Sequence, residues 1–386
     1  MYRSSTRNPS PVSKTLSRIR IARHSVFSTF LPAVALACLC TAQAAAQLPR
    51  DITASSSPLT PAQRSEVQTF VDQSVAAMLG DDLRATLHAR RALEDPMKDA
   101  GARRPFRLAY DDLLTPQLTD VIENADTPVH LQVSCMHLLG AIASEASLDV
   151  LSANLSAARP TTRYAAASGI QRAFEAAQQG RATFDTEKRL IELMKQLRTA
   201  IGSEQQAEIL FADVSACVAA PGNNGAGSAI EASSAGLLTQ IQNFSTTKKP
   251  DARLTRLHQC MRLIYQRYIK VITFNQNMKP ARKALVETSA AAILMAARLG
   301  QSMSDQERAT YRDELSQLVG ICEGILNLSY SEAGAEDTTV SRTFESGQYQ
   351  QAAILFERRW LGEDGPIYKN SEFGFHPGHI KGLLDG

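Results

Sequence analysis

Two histidines near the carboxyl end of the chain have the type and spacing to bind a metal ion. His376 and His379 flank a Pro-Gly pair, which favours a turn and would bring the two imidazoles close together. Imidazole nitrogen is a common ligand of zinc and other transition metals, and Asp364 and Glu372 are near in sequence. The alternative is a turn with two incidental histidines. We favour it because no third ligand stands at a fixed spacing, and we predict no cofactor.

A basic segment is the second candidate site. From Lys248 to Lys283 the chain has ten basic residues and a single acidic one. Three of the basic residues fall on the helix face opposite an apolar seam: Arg256, Arg267 and Lys270. This basic stripe would suit an anionic partner, such as lipid headgroups or an acidic protein. The alternative is a solvated face that pairs with the acidic residues between 305 and 314.

Four cysteines in the body of the chain lie within apolar helical stretches: Cys135, Cys217, Cys260 and Cys322. In an oxidising compartment they can form disulfides, whereas in an apolar core they behave as small hydrophobic residues, and both interpretations stay open. None belongs to a C-x-x-C pair, so neither a redox nor a zinc role is indicated. The chain also lacks a phosphate loop, a dinucleotide fingerprint, a G-x-S-x-G elbow and an H-E-x-x-H motif.

The first 46 residues predict a secretory signal peptide. Residues 1–50 contain no acidic residue, and an apolar stretch from Val26 to Ala46 follows the basic part. The stretch ends in small residues that suit a signal peptidase, so we expect cleavage after Ala44 or Ala46 and export to the periplasm or the medium. The alternative is an uncleaved N-terminal membrane anchor, since the apolar stretch has about the length needed to span a bilayer.

Cleavage would change the charge of the protein. Six of the 41 basic residues lie in the signal peptide, so the mature chain would carry 35 basic residues against 39 acidic ones. The net charge then becomes −4 instead of +2. A weakly acidic protein gives no argument for nucleic-acid binding, and we predict none.

The hydrophobic pattern predicts an all-α fold. Apolar residues recur at helical spacing, as in the seam that starts at Leu254, and no convincing alternating strand pattern precedes the last fifty residues. Thr60-Pro61 and Ser203 with Gln206 look like helix starts. The predicted order is a flexible tether at 47–60, a HEAT-like region of helical hairpins at 61–220, a linker at 221–228, a bundle of longer helices at 229–330 and an irregular, aromatic- and glycine-rich tail at 331–386.

Two proline-led segments resemble each other. They begin at Pro128 and Pro160, 32 residues apart. The second contains a proline, an arginine, a small-residue cluster and an aliphatic residue in the order typical of the second helix of a HEAT repeat: Pro160, Arg163, Ala165–Ala167 and Ile170. The resemblance covers residues 117–176. It implies a solenoid of stacked helical hairpins, a fold that offers an extended surface to partners.

These observations predict an exported, non-catalytic interaction or scaffold protein of the cell envelope, which binds another protein or an anionic surface. The competing hypothesis is an exported, hydrolase-like enzyme whose site is built from the tail at 331–386. A deep pocket with convergent polar side chains would favour the enzyme, and a long open groove would favour the binding protein.

Export can be tested directly. Because the acid-free leader ends in two peptidase sites, N-terminal sequencing of the protein from its native host should begin at Ala45 or Gln47. Recovery of a soluble form that still starts at Met1 would contradict the prediction.

Overall fold

The computed structural model describes residues 47–272, 278–330, 338–369 and 371–385. The predicted signal peptide and its cleavage sites lie outside these ranges, so export stays a prediction. The described residues belong to one compact unit. None of the helices in these ranges is long and apolar enough to cross a membrane.

The predicted all-α fold is confirmed. The described residues form seventeen α-helices and no strand. In chain order these are α1 (Arg50–Thr53), α2 (Pro61–Met78), α3 (Leu83–Lys98), α4 (Arg104–Glu123), α5 (Val129–Ile142), α6 (Glu145–Ala153), α7 (Pro160–Gln178), α8 (Thr186–Ser203), α9 (Ala207–Val218), α10 (Gly222–Thr247), α11 (Leu254–Ile272), α12 (Lys279–Ser302), α13 (Asp305–Tyr330), α14 (Thr339–Glu345), α15 (Tyr349–Trp360), α16 (Pro366–Lys369) and α17 (His379–Asp385). A short 3-10 helix, Asn154–Ser156, follows α6.

Many helices pack against the helix that is two further along in chain order. α5, α7, α9, α11 and α13 each contact the next in this series, and α8, α10 and α12 do the same in a second layer. Successive helices such as α8 and α9, or α12 and α13, pair between the layers. This adjacency continues beyond residue 220, into the predicted bundle. Stacked helical hairpins and the resemblance to HEAT repeats stay predictions.

The predicted linker at 221–228 is wrong. These residues begin α10, and within the segment only Gly222 has a positive φ, at 72°. A Cβ atom on Gly225 would lie 3.0 Å from Leu190 Cδ1, so the small residues let α10 approach α8 closely. Glycine and asparagine disfavour an isolated helix, but tertiary packing overrides that preference here.

The predicted flexible tether at 47–60 is also wrong in part. Residues 50–53 form α1, and Ile52 is fully buried in the core. The backbone N–H of Arg103 donates to Thr53 O at 2.9 Å, which attaches this turn to the start of α4. Burying one isoleucine is worth about 1.5–3 kcal/mol, which offsets part of the entropy cost of ordering this turn.

The tail is more regular than predicted. Its described residues form α14 to α17, with α15 packed on α12 and α17 packed on α10 and α12. The buried Glu323 carboxylate of α13 accepts the backbone N–H groups of Val340 and Ser341, at 3.0 and 2.9 Å. The large aromatic side chains of the tail are buried: Phe344, Phe356, Trp360, Phe373 and Phe375. The aromatic content of the tail therefore serves packing.

Two glycines allow α5 and α7 to cross at very short range. A Cβ atom on Gly140 would lie 2.5 Å from Gly169 O and 2.9 Å from its Cα. The neighbouring Ala166 and Ala167 of α7 are fully buried, in agreement with the small-residue cluster of the sequence pattern. Because the obstacle at Gly140 is backbone, no side-chain rotation can make room for a methyl group.

We therefore expect Gly140→Ala to lower the free energy of unfolding by about 1–3 kcal/mol, the usual cost of overpacking. Gly320→Ala in α13 is the matched control, since a Cβ there meets no atom within 4 Å. That change should stabilise the protein by roughly 0.5–1 kcal/mol, the helix preference of alanine over glycine. Urea denaturation measures both, and equal midpoints for wild type and Gly140→Ala would rule out the close crossing.

Candidate functional site

The basic stripe lies on α11, and two of its three cations have partners within the chain. Arg256 Nη2 is 2.7 Å from Glu208 Oε1, so the ion pair forms with α9 instead of the acidic residues after 305. Arg267 Nη2 donates to Ala220 O at 2.8 Å, and burial lowers the pKa of Arg267. Lys270 is exposed. Arg256 thus ties α11 to α9 and Arg267 ties it to the α9–α10 connection, and binding of an anionic partner by this stripe stays a prediction.

The two histidines are close together, but His379 is already engaged. The ring centroids of His376 and His379 are 5.3 Å apart, and the His379 ring stacks on Phe375. His379 Nε2 hydrogen-bonds to Glu287 of α12, which attaches α17 to that helix. Across the described residues no group of three His, Cys, Asp or Glu side chains is arranged to hold a metal ion.

The four cysteines are free and buried. Burial raises the pKa of Cys135, Cys217 and Cys322 to about 12, and it raises the pKa of Cys260 as well. A thiolate is the reactive form of cysteine, so these neutral thiols are not poised as nucleophiles. Of the two interpretations left open by the sequence, buried thiols are the one found here.

A groove of about 610 Å³ lies where α6 and the 3-10 helix face α8. The short α6 meets α8 over only a small area, whereas α8 and α10 pack extensively, so a space remains between α6 and α8. Half of the residues that line this polar groove carry neutral hydroxyl or amide groups: Ser152, Ser156, Gln196, Thr199, Ser203 and Gln205.

A bidentate ion pair forms one wall of the polar groove. Arg163 Nε and Nη2 lie 2.8 and 3.0 Å from the two carboxylate oxygens of Glu204, whose side chain is only 4% exposed. Burial by itself would raise the pKa of Glu204, but Arg163 and the backbone N–H groups of Gln206 and Gln205 lower it overall. Glu204 is therefore held as a carboxylate by charge-assisted hydrogen bonds.

The predicted helix start at Ser203 is wrong, and the Glu204 carboxylate accepts the backbone N–H groups that follow α8. The Ser203 hydroxyl donates back to Thr199 O, so Ser203 ends α8 and caps nothing. Glu204 Oε1 accepts the N–H groups of Gln205 and Gln206 instead, at 2.8 and 2.9 Å. Sequence reasoning had identified Arg163 from the HEAT-like pattern, but no local signal indicated its partner 41 residues away.

Gln240 holds the backbone of the connection between α8 and α9. From α10, its Nε2 donates to Ile201 O, Gly202 O and Glu204 O, at 2.7 to 3.0 Å. Its Oε1 accepts from Arg253 Nη1 at 2.8 Å. The carbonyl groups at the end of α8 would otherwise be unsatisfied and buried, so this one amide holds the groove wall in place.

Asp213 of α9 lies deeper, near the same ion pair. It is 1% exposed, and its Oδ1 atom has no hydrogen-bond partner among the described residues. Burial raises the pKa of Asp213 well above its ordinary value, the nearby Glu204 charge raises it further, and Arg163 lowers it in part. The acid is therefore held in its neutral form to a higher pH than usual.

The turn between α2 and α3 carries the second candidate surface. Of the nine exposed large apolar side chains in the described ranges, three fall within nine residues: Leu79, Leu83 and Leu87. Leu83, at 64% exposure, and Leu87 are one helical turn apart and lie on the same side of α3. Their spacing is also typical of residues that face a core. The sequence alone therefore does not identify them as exposed, and the folded structure does.

A pocket of about 390 Å³ lies between α1, α2 and α3, and α3, which carries Leu83 and Leu87, supplies five of its lining residues. Its floor is apolar, with Phe70 and Ala92 among its residues, and its rim is charged. The rim side chains of His88, Arg91 and Asp95 make no hydrogen bond or ion pair within the described part of the chain. We call the three leucines and this pocket the α2–α3 face.

Comparison of the chain with protein-family models, with curated protein sequences and with solved structures found no match in any of the three. The function therefore has to be inferred from the chemistry of the two surfaces.

The buried Asp213 predicts a pH-dependent stability difference. The folded protein binds this proton more tightly than the unfolded chain does, so the wild type loses stability as the pH rises from about 4 towards the raised folded pKa. Asp213→Asn lacks this titration. We expect its free energy of unfolding to exceed that of the wild type by a margin that grows over this window, measured by urea unfolding at several pH values.

Asp364→Asn is the control, because the Asp364 side chain is fully exposed. Its difference from the wild type should change little with pH. A difference for Asp213→Asn that is equally independent of pH would show that Asp213 titrates normally.

Proposed function

We propose that the protein is an exported, non-catalytic helical interaction or scaffold protein of the cell envelope, and that it binds a protein partner through the α2–α3 face. The observation that carries the proposal is the concentration of exposed leucines around the start of α3, the helix that also lines a pocket whose Arg91 and Asp95 side chains have no partner in the described ranges. Single exposed apolar residues are ordinary on soluble proteins, whereas neighbouring ones are typical of binding surfaces.

The α2–α3 face has the composition of a small protein-binding site. Each leucine that becomes fully buried in an interface contributes about 1.5–3 kcal/mol. The pocket lined by the same helix has room for one apolar side chain of a partner, the usual form of an interface anchor. The rim charges of Arg91 and Asp95, which have no partner in the described ranges, would then select the partner, because a mismatched charge at the rim disfavours binding.

Two other hypotheses have weaker support. Binding of an anionic surface by α11 would have to rely mainly on Lys270, because Arg256 and Arg267 already have partners. An enzyme site in the tail would have to form without its large aromatic side chains, because these are core residues. The buried cysteines are likewise neutral thiols.

Affinity capture from the envelope fraction of the native host tests the proposal. The mature protein should capture a partner, and Leu83→Ser/Leu87→Ser should weaken that association at least about tenfold, equivalent to 1.4 kcal/mol. Because both leucines are exposed, the double variant should unfold at the same urea concentration as the wild type.

Ile191→Ser/Ile354→Ser is the matched control, since both isoleucines are at least half exposed and lie on other helices. Capture should be unchanged by this pair of substitutions. Failure of the wild type to capture any protein, or equal loss with both double variants, would contradict a binding role for the α2–α3 face.

A further inference from the structure

The exposed side of α3 combines leucines with basic residues. From residue 83 to residue 93 the helix contains three arginines and one histidine and no acidic residue. α3 packs on α2 and α5 through its buried side, which includes Ala89 and Leu93. The exposed residues of this stretch lie together on the opposite side of the helix: Leu83, Arg84, Leu87, His88 and Arg91.

The spacing of these residues is that of a helix that pairs with a second helix. In a heptad repeat the apolar residues at positions a and d face the partner helix, and charged residues at e and g flank them and select the partner. With Leu83 at d and Leu87 at a, Arg84 and Arg91 both occupy e positions. The apolar seam is short, so the flanking charges have a large share in the choice of partner.

The charges of the two arginines are not neutralised by the described part of the chain. Within it, the side chains of Arg84 and Arg91 make no hydrogen bond or ion pair. The five α3 residues that line the pocket start at His88, directly after Leu87 in the chain. A second helix that lies along α3 would therefore pass from the leucines to the pocket.

From this pattern we infer that the partner binds the α2–α3 face with an amphipathic helix that carries acidic residues beside its apolar stripe. The apolar residues of that helix pack against Leu83 and Leu87, and its carboxylates pair with Arg84 and Arg91. A further apolar side chain enters the pocket between α1, α2 and α3. The inference rests on the proposed function, since it names the kind of partner that the same face binds.

An anionic lipid surface fits this face less well. Asp81 and Asp82 are exposed in the turn between Leu79 and Leu83. Insertion of these leucines into a bilayer would bring both carboxylates to the lipid phosphates, which repel them. A helix of limited length can place its acidic residues opposite the arginines alone.

Two labelled synthetic peptides test the inference. Both are alanine-rich and of equal length, with leucine at a and d; one carries glutamate at e and g, and the other carries lysine there. Fluorescence polarisation with the mature protein should show at least about tenfold tighter binding of the glutamate peptide, because the lysine peptide places like charges beside Arg84 and Arg91. High salt should reduce this preference, since exposed charge pairs are screened.

Arg84→Glu/Arg91→Glu should reverse the preference, so that the lysine peptide binds more tightly. Lys188→Glu/Lys195→Glu is the matched control, because these two lysines are exposed on α8 at the same spacing and have no ion pair within the described ranges. It changes the net charge equally and should leave the preference of the wild type intact. Both double variants should unfold at the wild-type urea concentration.

Binding of neither peptide, or a preference for the glutamate peptide that survives Arg84→Glu/Arg91→Glu, would overturn the inference. Binding to phosphatidylglycerol vesicles, or a dimer in sedimentation, that this variant abolishes while the peptides bind equally would overturn it too, because a lipid or a second copy would then occupy the face. Partner capture that depends on Leu83 and Leu87, with equal binding of the two peptides, would refute the acidic helix and leave the proposed function standing.

Discussion

The fold depends on how closely its helices can approach each other. Gly140 and Gly169 bring the backbones of α5 and α7 into direct contact, and Gly236 of α10 leaves only enough space for Ile201 of α8. α12 contributes a run of buried small residues at the centre of the molecule. Alanine and glycine bury little area each, so the gain comes from dispersion between many atoms at short range. At these close crossings even one added methyl group has no room.

A second constraint follows from the first. Helices that pack this closely bury their ends, where carbonyl groups have no partner in the helix. At the end of α8 the carbonyls are satisfied by Gln240 of the neighbouring helix α10, and Glu204 is held by Arg163. These polar groups are linked to one another, so each contributes more to the stability of the fold than its individual hydrogen bonds suggest. Asp213 is not part of this set, because its Oδ1 is buried without a partner among the described residues and its pKa is raised.

The two candidate surfaces arise from places where the stacking is incomplete. α6 is too short to cover α8 along its length, and the polar groove lies in the space that remains. α3 packs on α2 and α5 and leaves the side with Leu83 and Leu87 exposed. Neighbouring exposed leucines are typical of binding surfaces, whereas single ones are ordinary on soluble proteins.

The sequence by itself determined the helical class, because the apolar period and the Thr60-Pro61 start are local properties of the chain. It also marked Arg163 and the small residues of α7. Tertiary structure decided the rest. Residues 221–228 look like a linker from their composition, but they begin α10, which packs on α8 and α12. Glu204 becomes the partner of Arg163 only when α7 and the α8–α9 connection meet. The leucines of α3 have the spacing of core residues, and which side of a helix is covered depends on neighbours that a local pattern cannot specify.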